Sequence, residues 1–157
     1  SPHRVSSAVM MPPILRVLHL FCMAVWVGSP LNAPGDIRRT LALGYPYAEA
    51  LVPRIKRSAR LTMAAGFLTI ATGLALVFAL GGFKAVPARI HIGMGLSLLT
   101  LLCGALVVDP AWRKIARTVQ AKGDLGQAAV LSRRFTVKMG IEHIFRLSVI
   151  VLMAWRV

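Results

Sequence analysis

The feature that most constrains the fold is an uncharged apolar run. Residues 61–80 read LTMAAGFLTIATGLALVFAL. About 20 apolar residues suffice for a helix to cross the hydrocarbon core of a bilayer, and within lipid only helices and closed barrels satisfy every backbone polar group. This segment therefore predicts a membrane-spanning helix.

Further apolar blocks lie at 12–31, 88–108 and 139–157. Each reaches or approaches the length of a span, although the last contains Glu142 and Arg146. Hydrophobic residues make up 57% of the chain, above the roughly 45–50% of ordinary soluble domains. The sequence thus predicts a single all-α domain over residues 1–157, a transmembrane four-helix bundle with up-down-up-down topology.

The net charge of +14 is concentrated in the long segments 32–60 and 109–138. The positive-inside rule places both as basic loops in the cytoplasm, with both termini on the outer side. We expect a multi-pass protein of the bacterial inner membrane, whose partners include membrane lipids of an anionic leaflet. Nucleic acid is not an expected partner, because no binding motif or aromatic stacking platform accompanies the charge.

Three apolar blocks each carry a histidine: His19, His91 and His143. A polar side chain in a span is costly and usually points into the bundle, where it either forms an interhelical hydrogen bond or serves a function. At 1.5 Å per residue, His19 and His91 lie about 9 Å and about 6 Å from the outer ends of their helices. Because the first and third helices are diagonal in a simple ring, this pair could hold one haem iron.

The neighbours of these two histidines fit a shaped pocket. Trp26 shares a helix face with His19, and Met94 shares one with His91. Gly95 would leave room for a porphyrin edge. Taken singly, the methionine and the tryptophan are more typical of ordinary packing. We predict haem b bound by His19 and His91 as metal ligands, with the other three residues lining the cofactor.

The third histidine, His143, lies deeper and beside a charged pair. Glu142 and Arg146 are four residues apart, so they can pair along one helix. One interpretation is a self-satisfied ion pair near the interface. The other is that Arg146 receives an anionic group, such as a haem propionate or a quinone oxygen, with His143 as a second cofactor-binding residue or a proton carrier.

Copper is the alternative cofactor. Cys22, Met23 and Met94 are soft ligands close to the histidines, which suits Cu(I). However, the sequence has no Met-x-x-Met or Cys-x-x-Cys cluster. It also has no Cys-x-x-Cys-His motif, which excludes covalent attachment of a c-type haem. Cys22 and Cys103 both lie in apolar blocks, where packing is the more typical role.

Small residues share one face of the 61–80 helix: Thr62, Ala65, Gly66, Thr69 and Gly73. Small side chains let helix backbones approach closely in lipid. Tight packing against another helix is therefore favoured over a flat cofactor on this face.

The first span, HLFCMAVWVGSPL, resembles the opening helix of the copper resistance protein D-like membrane domains and is similar to that of the bacterial four-helix protoporphyrinogen oxidases. The matching residues are His19, Trp26, Gly28, Arg38 and Arg39. The resemblance implies a b-type haem or a metal site inside the bundle, with a redox or metal-uptake role and His19 as a ligand. The third span lacks the lysine that these oxidases usually have at its middle, so no catalytic residue is implied.

These observations predict a haem b-binding membrane protein for electron transfer or haem-linked oxidation, with a quinone or another redox partner. One alternative is an accessory structural subunit of a larger respiratory or photosynthetic membrane complex. The other is a transporter of copper or another metal. Whether the protein is an enzyme is left open by the sequence.

Overall fold

The computed structural model describes residues 3–154, and it describes side chains from residue 13 onward. The main helices are α1 (His3–Gly28), α2 (Ala33–Ala42), α3 (Tyr47–Ala79), α4 (Ala88–Cys103), α5 (Asp109–Gln120) and α6 (Leu125–Ala154). A short 3₁₀ turn, Phe83–Ala85, precedes α4, and a π-helical turn, Gly104–Val108, joins α4 to α5. The predicted all-α class is confirmed over this range, in which no strand occurs.

Three stretches are long and apolar enough to cross a membrane: Pro13–Ala42, Tyr47–Ala79 and Ala88–Gln120. They support the prediction of a membrane protein. Helix α6 is also long, with 30 residues, but its middle part contains Lys138, Glu142 and Arg146. These charges make its composition less apolar than that of the other three stretches.

The predicted basic loop 32–60 is mostly helical, which corrects that part of the prediction, and the second basic segment, 109–138, is also mostly helical. Helix α3 has 33 residues, so it is about 50 Å long and extends well beyond a core of about 30 Å. The extension is helical because its apolar residues recur every three or four positions and pack against other helices. Ala48, Leu51 and Ile55 are all buried.

The helical extensions form a compact unit that we call the cap: α2, the first half of α3, α5 and the first half of α6. Its core is Ala33, Ile37, Leu41, Ala48, Leu51, Ile55, Val108, Trp112, Ile115, Ala116, Val119, Ala128, Phe135 and Met139. Such a core is typical of a small water-soluble helical domain. Tyr45 fastens the α2–α3 turn to the cap, because its hydroxyl donates to the carbonyl of Gly123 at 3.1 Å.

Helix α1 packs along the small-residue face of α3, as that face predicted. A Cβ added to Gly66 would lie 2.8 Å from Nε1 of Trp26, so only glycine fits there without a shift. Closer to the cap, the hydroxyls of Ser29 and Thr62 are 2.6 Å apart. These contacts set the relative heights of α1 and α3.

Helix α6 runs antiparallel to α4 and α5, and close approaches fix its register. A Cβ on Gly93 would lie 2.9 Å from Cε of Met153. Farther along, the rings of Trp112 and Phe135 have centroids 6.3 Å apart. Between these contacts, the π-helical turn brings Gly104 opposite Glu142 on α6. Single π-helical turns inside long helices often occur at functional sites.

Candidate functional site

A cavity of about 580 Å³ lies where the long helices enter the cap. Its volume falls within the roughly 300–1,000 Å³ typical of small-molecule sites. Its walls are mainly apolar and aromatic, with contributions from Trp26, Ile55, Met63, Leu101, Trp112 and Met139. We call it the main cavity.

The exposed residues that line the main cavity show where it opens. Lys56, Ala59 and Arg60 belong to α3, and Arg113 and Gln120 belong to α5. The mouth therefore lies between α3 and α5, at the junction of the apolar helices and the cap. A molecule entering here would pass a basic rim before it reached the apolar walls.

Arg146 lies at the deep end of the main cavity and is only 4% exposed. Its Nη2 donates to Oε1 of Glu142 at 2.6 Å, and its Nη1 donates to the carbonyl of Trp26 at 2.8 Å. The guanidinium also lies over the Trp26 ring, 5.3 Å from the ring centroid. The predicted pairing of Glu142 with Arg146 is thus confirmed, and both side chains are buried.

The third donor group of Arg146 has no partner. Its Nε is buried and forms no hydrogen bond with any group in the part of the chain that the structure describes. A buried donor without an acceptor costs about 1–3 kcal/mol. Arg146 is one of the residues that line the main cavity, and because its Nε is almost fully covered, an oxygen atom of a bound molecule would reach it only after a small shift of the side chain.

Two glycines make room for this arrangement. A Cβ on Gly104 would lie 2.8 Å from Oε1 of Glu142, and Gly66 gives the same clearance to Trp26. Any side chain at these positions would displace the carboxylate or the indole. The glycines therefore position the ion pair and the ring that supports it.

The heights of the charged groups follow from the helix contacts. Arg146 bonds to Trp26, which packs on Gly66 of α3. At 1.5 Å per residue, Arg60 is about 9 Å and Lys56 about 15 Å closer to the cap than Gly66. The main cavity thus extends from a charge-balanced deep end to a mouth that contains Lys56 and Arg60.

His19 lies in a separate, smaller cavity of about 20 Å³, which Met94 and Met153 also line. Its Nδ1 is 2.9 Å from the hydroxyl of Thr72, and that hydroxyl donates to the carbonyl of Leu68 at 2.6 Å. A neutral His19 that donates from Nδ1 to this hydroxyl would carry a lone pair on Nε2, which is the form that binds a metal.

His91 does not share this cavity. Its side chain is exposed, with its ring centroid 6.0 Å from that of Phe83. Gly95 also faces open space, with nothing within 4 Å of an added Cβ. The structure brings His19 together with Met94 but not with His91. The bis-histidine site stays a prediction.

His143 lies outside the main cavity. Its ring is beside the backbone of Val27 on α1, and its Nε2 is buried with no hydrogen-bond partner among the residues that the structure describes. Over the described residues, no group of three or more His, Cys, Asp or Glu side chains could hold a metal ion.

From the sequence, Lys56 and Arg60 were predicted only to contribute positive charge on the cytoplasmic side. Their spacing of four residues was the available signal that both face one side of α3. Gly104 gave no signal of its own, because its role depends on the residue opposite it on another helix.

The chain matches no protein-family model, no curated protein and no solved structure. The resemblance of its first span to copper resistance protein D-like domains therefore remains a prediction. The geometry of the two cavities carries the functional argument.

Proposed function

We propose that this protein is a multi-pass protein of a bacterial inner membrane that binds a small hydrophobic molecule in the main cavity. The molecule bears an oxygen atom that accepts a hydrogen bond from Nε of Arg146. The observation that carries the proposal is this buried donor, which has no partner among the described residues and belongs to a side chain that lines a cavity of about 580 Å³. Buried polar groups normally have partners, so a missing acceptor points to a ligand.

The proposed membrane placement makes α6 the fourth span. Its contacts with Gly93 and Gly104 keep it alongside α4 through the apolar region. The charges that lower its apolar content include Glu142 and Arg146, which neutralise each other inside the bundle. The basic cap then lies in the cytoplasm, and both termini lie outside, in accordance with the positive-inside rule.

The site has the parts needed for binding. Arg146 donates to the ligand oxygen, Glu142 and the Trp26 carbonyl hold the guanidinium in place, and the apolar walls exclude water. Inside lipid, such a donor acts in a low dielectric, where a hydrogen bond is stronger than in water. No chemical step is assigned to these residues.

A haem b protein for electron transfer or haem-linked oxidation is the second candidate. The observation in its favour is the hydrogen bond between Nδ1 of His19 and the hydroxyl of Thr72, which in one tautomer leaves Nε2 able to bind a metal beside Met94. At about 20 Å³ the smaller cavity is too small for a porphyrin, so this function requires the helices to separate there. Neither the accessory-subunit nor the copper-transport alternative has a comparable observation within residues 13–154.

Native mass spectrometry of the protein, extracted gently from its own membranes, tests the main proposal. We expect the wild type to retain a small non-protein mass. Ala59→Trp should lose it, because Ala59 lines the mouth of the main cavity. Ala64→Trp is the matched control, since Ala64 is exposed on the same helix outside the cavity lining, and it should retain the mass. Bare wild-type protein, or retention by Ala59→Trp, would contradict the proposal.

A further inference from the structure

The two ends of the main cavity differ in charge balance. At the deep end, Arg146 and Glu142 are paired at 2.6 Å, so their charges cancel. At the mouth, Arg113 is paired with Asp109 at 2.7 Å. Lys56 and Arg60 line the same mouth without an ion pair to any described residue.

Lys56 and Arg60 have no carboxylate partner because the chain has only 5 acidic residues and each is engaged with another group. Besides Asp109 and Glu142 in the cavity, Asp36 pairs with Arg54 at 2.9 Å and Glu49 pairs with Lys122 at 3.4 Å. The fifth, Asp124, accepts hydrogen bonds from backbone amides at the start of α6. No carboxylate remains for Lys56 or Arg60.

Lys56 and Arg60 also repel each other. They are four residues apart on one helix, a spacing at which like charges destabilise. An anionic group between them would relieve the repulsion. At the deep end the opposite holds, because a second anion beside a balanced, buried ion pair would lose its hydration without gaining a free counter-charge.

We infer that the ligand of the main cavity has two different ends: an acidic group at the mouth and an uncharged oxygen acceptor at Arg146. Of the groups that Arg146 was expected to receive, the charge balance favours an uncharged oxygen over an anion. This inference rests on the proposed function and adds the substrate class, an amphipathic acid with a polar far end.

The rise along α3 suggests a suitable length for a probe. Arg60 and Lys56 lie about 9 Å and about 15 Å along the helix from Gly66, which packs on Trp26 beside Arg146, so a probe with ends about 12 Å apart is chosen. An extended chain of ten carbon atoms spans roughly this distance. The probe is therefore 10-hydroxydecanoate, which has a carboxylate at one end and a hydroxyl at the other.

Binding is measured by tryptophan fluorescence in lipid nanodiscs. Trp26 and Trp112 both line the main cavity, and the chain has 3 tryptophans in all. The comparison molecules are decanoate, which lacks the far oxygen, and 1,10-decanediol, which lacks the charge. We expect 10-hydroxydecanoate to bind about tenfold more tightly than either, the effect of one hydrogen bond to a charged group.

Variants test which residues bind each end of the ligand. Lys56→Gln with Arg60→Gln should weaken binding of both acids about tenfold and leave binding of the diol unchanged. Arg57→Gln is the matched control, because Arg57 is an exposed cation on the same helix outside the cavity lining. Glu142→Gln with Arg146→Gln keeps an uncharged, hydrogen-bonding pair. It should remove the advantage of the hydroxyl while decanoate still binds.

The possible outcomes distinguish a failure of the proposed function from a failure of the two-ended ligand alone. If none of the three probes binds the wild type, both the proposed function and this inference are overturned. If the probes bind but the acid and the diol have equal affinity, or Arg57→Gln has the same effect as the mouth variant, only the inference of a two-ended ligand is overturned.

Discussion

Arg146 keeps its charge in the apolar part of the bundle because two groups share its guanidinium. Glu142 balances the charge, and the Trp26 carbonyl accepts a second hydrogen bond. Such a pair adds little net stability, because both groups lose their hydration when they are buried. The presence of this ion pair in a chain with so few acidic residues therefore favours a functional role over a purely stabilising one.

The ion pair gives the first prediction. Arg146→Gln leaves the carboxylate of Glu142, 2% exposed, without its counter-charge, and should lower the free energy of unfolding by about 3–5 kcal/mol. The double variant with Glu142→Gln restores a neutral pair and should recover most of that loss. Unfolding in mixed micelles, followed by circular dichroism, measures both. Equal stability of the single and double variants would contradict the prediction.

Glycine substitutions provide a second, matched comparison. Gly104→Ala places a Cβ 2.8 Å from Oε1 of Glu142, which Arg146 holds in place, so it should destabilise the protein by about 1–3 kcal/mol. Gly95→Ala lies in the same helical stretch with open space around it, and it should be neutral or slightly stabilising. Thermal unfolding of the two variants tests the difference. The same loss in both would show that Glu142 does not lie against Gly104.

The haem candidate can be tested by replacing each of the two predicted ligands with alanine. If haem binds through His19, the reduced-minus-oxidised spectrum of haem-replete protein should disappear in His19→Ala and persist in His91→Ala, because His91 is exposed beside Phe83. Loss of the spectrum in both variants would support the bis-histidine site instead. A flat spectrum from the wild type would remove the haem candidate.

These residues show what a single sequence can predict about a site. The spacing of Glu142 and Arg146 was enough to predict their pairing. Equal depth suggested that His19 and His91 meet, but depth does not determine the direction in which a side chain leaves its helix. The hydrogen bond from Arg146 to the Trp26 carbonyl on α1, and the position of Glu142 opposite Gly104, depend on helix packing, which a single sequence does not reveal.

At the scale of elements, the apolar blocks predicted where helices cross the apolar region but not where the helices end. Hydropathy marks the half of α3 that is apolar enough to cross a membrane. The half that belongs to the cap is amphipathic and charged on one side, which made residues 47–60 resemble a loop. The break before α6 was visible in the sequence KGDLG, and Lys122 there has a φ of 51°, a backbone conformation typical of turns.

The prediction for a single helix concerns α6, the proposed fourth span. In a background in which Cys22 and Cys103 are replaced by serine, we expect Ala154→Cys to react with a membrane-impermeant maleimide from the outer side only. Lys138→Cys should react from the cytoplasmic side only, because both positions are exposed and lie at opposite ends of the proposed span. Intact spheroplasts and inverted vesicles supply the two orientations. Labelling of both positions from one side would contradict a fourth span.

At the scale of the whole molecule, the cap and the apolar helices enclose one cavity together. The same helices continue from one part into the other, so α3 supplies both the cations at the mouth and the glycine beside Trp26. The sequence predicted a compact hydrophobic bundle with basic cytoplasmic segments. It could not predict the main cavity, which depends on how α5 and α6 pack above the π-helical turn.

The hydrogen bond from Nε of Arg146 to a ligand is the central claim, and arginine-selective ¹⁵N NMR in nanodiscs observes that group directly. Arg146→Lys identifies the resonance by removing it. On addition of 10-hydroxydecanoate, we expect the Nε–H signal of Arg146 to move downfield and to exchange more slowly with water, as a newly formed hydrogen bond requires. An unchanged signal, while tryptophan fluorescence shows that the probe has filled the main cavity, would contradict the account.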